Sequence, residues 1–124
     1  MRVLAVVERA YRGAVETQYA HLPFVLRDLH RQLGEVVVLL RGPAVTLGLD
    51  GPAQPVLRLG HAVVDTLPDR RDAVRGLLDD GVAVFVDDAD LRTAGLPTSR
   101  LLAGVRTADR RTLPWDGFAH VWFF

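Results

Sequence analysis

The chain has no cysteine and no lysine among its 124 residues. Without cysteine it can form no disulfide, no zinc site built on thiolates and no thiol nucleophile. Without lysine it has neither Schiff-base chemistry nor the lysine that commonly holds a phosphate. Serine is almost as scarce. Ser99 is the only one, it sits at the start of a predicted helix, and no nucleophile-elbow motif surrounds it. Charge of one sign is also lacking. Fifteen arginines balance 15 acidic residues, so there is no broad basic footprint for DNA or RNA and no basic amphipathic helix for an anionic membrane. No apolar run reaches the ~20 residues that a bilayer crossing needs. The opening MRVLAVVERAYRG carries a brief apolar run that Glu8 and Arg9 interrupt, which suits a first strand of a cytoplasmic protein better than a signal peptide.

What is present is a single domain over residues 1–124, with 49% hydrophobic and 24% charged residues. Arg2 to Val7 and Glu35 to Arg41 are β-branched, apolar runs of the kind buried on both faces. Between them Val15, Tyr19, Leu22, Leu26, Leu29 and Leu33 form one helical stripe, which Pro23 should kink or break near residues 19–22 and Gly34 should end. The segment from Gly42 to Leu67 is rich in Gly and Pro. Ala44 to Leu49 suits a short helix. Gly60-His61 suits a two-residue type II′ hairpin turn, and a loop with a helical turn fits almost as well. Pro68 to Asp80 reads as a helix with Thr66 as its cap. Val82 to Val86 is a buried strand that stops at Asp87, Asp88 and Asp90. A short helix ending at Gly95 follows, then another over Ser99–Ala103, a brief strand Val105–Thr107, and an apolar terminal strand Ala119–Phe124.

Alternating strands and helices predict an α/β three-layer sandwich on a parallel five-stranded sheet, in the flavodoxin-like order 2-1-3-4-5. Ligands in such sheets sit at the carboxyl ends of the strands. The loops after Val7 and Val86 are then expected to meet, which gathers Glu8, Arg9, Tyr11 and Arg12 opposite Asp87, Asp88 and Asp90 as a candidate ligand-binding crevice. Clustered carboxylates can hold Mg²⁺ or Ca²⁺. Here the Asp-x-Asp lacks the threonine and lysine of phosphoryl-transfer sites, so Asp88 or Asp90 is expected to cap the following helix, and no metal is assigned. His21, His30, His61 and His120 show no ligand spacing, and His120 is expected to be a structural residue. Trp115, Phe118, Trp122, Phe123 and Phe124 are too many for one terminal strand to hide, so they should serve core and interface together.

The run LLDDG, the strand VAVFV, then DLRTAGL and a later Gly104-Val105, preceded by VLAVV, VVVLL and Gly42-Pro43-Ala44-Val45, resembles the DsrE/DsrF/DsrH-like family. The resemblance implies a small bacterial α/β protein that assembles as homo- or hetero-oligomers. It also implies sulfur carried as a persulfide on a cysteine in or near the loop after the third strand. This chain has Asp87, Asp88, Ala89 and Asp90 there, and a carboxylate cannot replace sulfur. The resemblance thus implies a cysteine-free accessory or binding subunit. It would have no catalytic residue and no cofactor, and would form a homo-dimer or trimer or join other DsrE-like subunits. The alternative is a small-molecule or anion-binding protein, enzymatic or not, that uses the loops after strands one and three.

Overall fold

Five consecutive residues in each of two strands, Val3 to Val7 and Val36 to Leu40, are buried. Only a sheet covered on both faces hides side chains that alternate direction in this way. The computed structural model describes residues 1–9, 21–51, 57–64 and 70–124. In chain order these form β1 (Arg2–Val7), α1 (His21–Leu33), β2 (Glu35–Leu40), β3 (Leu57–Leu59), β4 (Ala62–Val64), α2 (Arg70–Asp79), β5 (Ala83–Asp87), α3 (Asp88–Thr93), β6 (Arg106–Ala108) and β7 (His120–Phe123). A 3-10 turn over Gly42–Gly48 follows β2.

The sheet is parallel and five-stranded, in the order β6-β5-β2-β1-β7. The molecule is an α/β sandwich that resembles the flavodoxin-like fold. Counting the five parallel strands along the chain, the order is 4-3-2-1-5. Relative to 2-1-3-4-5, the second strand lies between the first and third, and the fifth lies against the first. Consecutive parallel strands joined through one covering layer tend to become neighbours, which accounts for the run β1, β2, β5, β6. The strands at the two margins are short, three residues in β6 and four in β7.

One face packs Ala5, Val7, Val36, Val38, Leu40, Val84 and Val86 against Leu26 of α1, Val74 and Leu77 of α2 and Leu91 of α3. The other packs Leu4, Val6, Val37 and Leu39 beneath Phe85, Leu113, Trp115, Phe118 and Val121. The cover on this second face is the segment between β6 and β7, and that crossing carries the chain from one margin of the sheet to the other. Trp115 is pinned there by its Nε1–H, which donates to the Arg110 carbonyl at 2.7 Å. Two guanidiniums lie over the rim of this face, Arg106 on Phe85 and Arg2 on Phe118, each 4.8 Å from the ring centre. Phe123 is 62% exposed, whereas Phe124 packs on the helical side of the core. His120 is exposed and stacks on Trp122 at 6.2 Å, so its structural role is an edge contact outside the core.

Two local expectations change. The helix expected over Ser99–Ala103 is a single 3-10 turn, Thr98–Arg100. The residues after it pair across the fold instead: Leu101 bridges Leu49, and the Leu102 N–H donates to the Gly48 carbonyl at 2.8 Å. Gly48 permits this close packing, because a Cβ there would lie 2.8 Å from Val86 Cγ2. The described part of the first helix begins at His21, which places Pro23 in its first turn, where the amides have no partner within that turn. Val15, Tyr19, the greater part of the expected kink and the Thr66 cap lie outside the described residues. The hairpin is present, with β3 antiparallel to β4 and Gly60 at φ +62 in the turn.

The helices are tied to each other and to the sheet by specific polar contacts. His30 Nδ1 accepts the Val36 N–H at 3.0 Å, joining the end of α1 to β2. Asp80, just past α2, receives Arg27 Nε at 2.6 Å and Nη2 at 3.1 Å, and Arg31 Nε at 2.8 Å. A carboxylate at a helix carboxyl end opposes the helix dipole, and two arginines from α1 offset that. Hydrogen bonding from Arg27, against some desolvation and with help from Arg31, lowers the Asp80 carboxyl from 3.8 to about 2. The unfolded state therefore binds the proton more readily than the native state. The contribution of this clamp is complete above about pH 4 and is lost as the pH falls through about 2. We expect Asp80→Asn to unfold at lower urea than the parent at neutral pH, with the gap narrowing between about pH 4 and about pH 2. A gap unchanged across that range in urea melts would rule out the clamp.

Candidate functional site

Parallel strands deliver all their following loops to one edge of the sheet, so five loops converge there. Glu8 and Arg9 follow β1, Arg41 and Gly42 follow β2, Asp88 follows β5, Asp109 to Arg111 follow β6 and Phe124 follows β7. Backbone bonds lace this edge: the Glu8 N–H donates to the Phe124 carbonyl at 2.9 Å, and the Arg41 N–H to the Val7 carbonyl at 3.0 Å.

Asp87 is the only buried charged residue among the described ones, at 1% exposure. Its Oδ1 accepts the Asp90 N–H at 3.0 Å and so caps α3. The expected caps were Asp88 or Asp90. The strand runs one residue past Val86, which moves the cap position onto Asp87. Asp87 Oδ2 meets no donor in hydrogen-bond geometry, yet Arg110 Nε lies 3.3 Å away. The contact is an ion pair with poor angles, and the nearby positive charge makes burial of the carboxylate tolerable. Asp90 completes a knot. Its Oδ2 accepts the Gly42 N–H at 2.7 Å, and its Oδ1 lies 3.5 Å from Arg110 Nη2. Gly42 has φ +56, a left-handed conformation that aims its amide this way at little cost for glycine alone. Three loops, after β2, β5 and β6, are thereby held by two carboxylates and one guanidinium.

Outside the knot lies a cleft of about 280 Å³ lined by Asp88, Ala89, Arg92, Asp109, Arg110 and Arg111. Its charges are paired. Arg92 Nη1 is 3.6 Å from Asp88 Oδ2 along α3. Asp109 receives Arg111 through Nε at 3.1 Å, Nη2 at 2.9 Å and the backbone N–H at 2.9 Å. That fork, the side-chain bond above all, lowers the Asp109 carboxyl to about 2. A shallower concavity is formed by Asp50, Gly51, Ser99 and Arg100. A small apolar void under α1, lined by Val7, Leu26 and Val74 among others, belongs to the core.

The residues expected to form the crevice are distributed as follows. Asp87, Asp88 and Asp90 share one loop and helix start. Glu8 faces Arg41 at 3.9 Å, and Arg9 is exposed without an ion pair among the described residues. Tyr11 and Arg12 lie outside the described residues. Because β2 separates β1 from β5, the Arg41–Gly42 turn stands between Glu8 and Asp90 and touches both. The arginine that meets Asp87 and Asp90 is Arg110, which sequence reasoning passed over together with Arg92, Asp109 and Arg111. A signal existed. The polar run Asp109-Arg110-Arg111 directly follows a brief strand, the same rule that singled out Asp87. The described residues bring together no group of three His, Asp or Glu side chains placed to hold a metal ion, and none of their helices is long and apolar enough to cross a membrane.

Arg110→Ala strands the Asp87 carboxylate. Breaking a fully buried pair costs ~3–5 kcal/mol. Arg110 itself is 40% exposed, so the expected loss is about 1–3 kcal/mol. Asp87→Asn keeps the capping oxygen and removes the charge. The double variant should therefore be more stable than Arg110→Ala alone. Strict additivity in denaturant melts of the four proteins would show that the pair is not coupled.

No family model matches the sequence, and no curated protein matches it. Solved structures do. The ychN protein from E. coli superposes with a TM-score of 0.74 at 19% identity, over 99% of this chain and 98% of that one. MTH1491, a protein of unknown function from Methanobacterium thermoautotrophicum, gives a TM-score of 0.68 at 18% identity, over 98% and 97%. Both are proteins of the DsrE/DsrF-like fold, and this chain shares that fold along nearly its whole length.

Proposed function

We propose that this chain is a cytoplasmic, DsrE-like accessory or binding subunit that assembles with copies of itself or with related subunits and carries no sulfur. One observation supports this most directly. In the loop where the family resemblance puts a persulfide cysteine, Asp87 and Asp90 are committed to Arg110, to the Gly42 amide and to capping α3. These side chains hold the edge of the sheet together and have no free valence for group transfer. A second reading has its own support in the cleft beside the knot, where Asp88 and Asp109 alternate with Arg92, Arg110 and Arg111. A zwitterionic or hydroxylated small molecule suits such paired charges better than a bare phosphate.

Two measurements test the proposal. Incubated with a desulfurase and a sulfur donor, the chain should gain no covalent sulfur in its intact mass, since no residue supplies a sulfur nucleophile. A stable increment of one sulfur atom would defeat the reading. Light scattering should give the mass of a dimer or trimer. Deleting residues 122–124 removes half-buried Trp122 and the core contact of Phe124. It should lower stability by a few kcal/mol, on the order of one lost aromatic, and weaken assembly with it. A monomer at high concentration would count against the oligomeric role.

A further inference from the structure

We propose that the β3–β4 hairpin of one copy docks on the outer face of α1 of a second copy, with Leu59 and Val63 against Phe24 and Val25 and Arg58 facing Asp28. The inference rests on the oligomeric reading above and assigns that assembly a surface.

The hairpin is the first half. Every residue from Arg58 to Val63 is exposed, and its printed strand pairing is only with itself. A lone two-stranded hairpin in water is marginal at best. Yet this one carries two of the few large apolar side chains left in solvent, Leu59 at 60% and Val63 at 55%. The register puts Leu59 across from Ala62 on one face and Val63 across from Arg58 on the other, so an apolar residue is exposed on each face. Between Leu57 and Val64 there is no acidic residue, and Arg58 gives the hairpin positive charge.

The second half is on α1. Phe24 is 51% and Val25 39% exposed, one turn before Asp28, whose side chain is 69% exposed. A helix normally turns such residues towards the core. Here the core stripe is met by Leu22, Leu26 and Leu29, and Phe24 and Val25 are surplus to it. The charges around this face are acidic by one: Asp28, Asp79 and Asp80 against Arg27 and Arg31. Both arginines are drawn to Asp80, and Arg31 stays 4.0 Å from Asp28. Asp28 is thus the weakly paired charge of the patch.

An apolar pair beside a positive charge thus finds, on the same chain, an apolar pair beside a negative one. Both remain exposed, so neither covers the other within one molecule, and the occupant that fits each is the other's copy. Two copies of the hairpin would instead oppose Arg58 to Arg58, which like-charge repulsion disfavours. The contact can close reciprocally in a two-fold dimer or head to tail in a ring.

The test uses complementation. Phe24→Asp spoils the helix face and leaves the hairpin; Leu59→Asp does the reverse. Both positions are exposed, so both proteins should fold, as circular dichroism would verify. Each alone should associate roughly 30-fold or more weakly than the parent in sedimentation velocity, the effect of losing an interface anchor. Mixed in equal amounts they should form a one-to-one complex through the one intact contact. If either variant fails to fold, the charge pair decides: Asp28→Arg should weaken assembly and Arg58→Asp in the same chain should restore it. Assembly by Phe24→Asp but not by Leu59→Asp would mean that hairpins pair with each other, and would overturn the proposal. Parental mass for both variants would overturn this interface while leaving an oligomer. A monomeric parent chain would overturn the oligomeric reading itself.

Discussion

A carboxylate hidden from water must be neutralised or hydrogen-bonded, and Asp87 sets that requirement at the end of the most central of the late strands. Its solution draws in distant chain. One oxygen starts α3, and the other recruits Arg110 from beyond β6. Arg110 then reaches Asp90, which holds the Gly42 amide after β2. Trp115 binds the Arg110 carbonyl and, from there, covers the second face of the sheet. Much of what positions the carboxyl edge can be traced from this one buried charge. The charge is tolerated because arginine keeps its proton and offers several donors at fixed angles.

The same group explains why sulfur chemistry does not carry over to this chain through fold alone. A reactive loop needs a side chain that is exposed, poorly committed and nucleophilic. Asp87 is buried, doubly engaged and not nucleophilic towards sulfur. The fold shared with the ychN protein and MTH1491 describes a scaffold, and chemistry lives in the residues placed on it.

Local features were legible in the sequence wherever local physics decides them. The unbroken apolar runs of β1 and β2 announced strands buried on both sides, and the Gly60-His61 pair suited the hairpin that forms. Long-range choices were not legible. Leu101 and Leu102 could have continued a helix, and only the presence of Leu49 and Gly48 nearby makes pairing the better outcome. Arg110 lies 20 residues from Asp90, and no periodicity links them. The place of β2 between β1 and β5 is likewise a packing result, and it moved the Arg41–Gly42 turn into what had looked like an open crevice. Of the candidate site, the aspartates and Glu8 could be found as strand-end residues, but the partner that binds the aspartates could not.

The short margins of the sheet have a consequence for behaviour in crowded solution. An exposed strand is a template on which a foreign chain can grow, and its hazard increases with its length and flatness. With three residues in β6 and four in β7, the main sheet offers little backbone for such growth. The β3–β4 ribbon has no such protection, because both of its strands are margins. Fibrils or amorphous precipitate, should this protein form them on long storage, would be expected to start from that ribbon, with the five-stranded sheet surviving inside the aggregate.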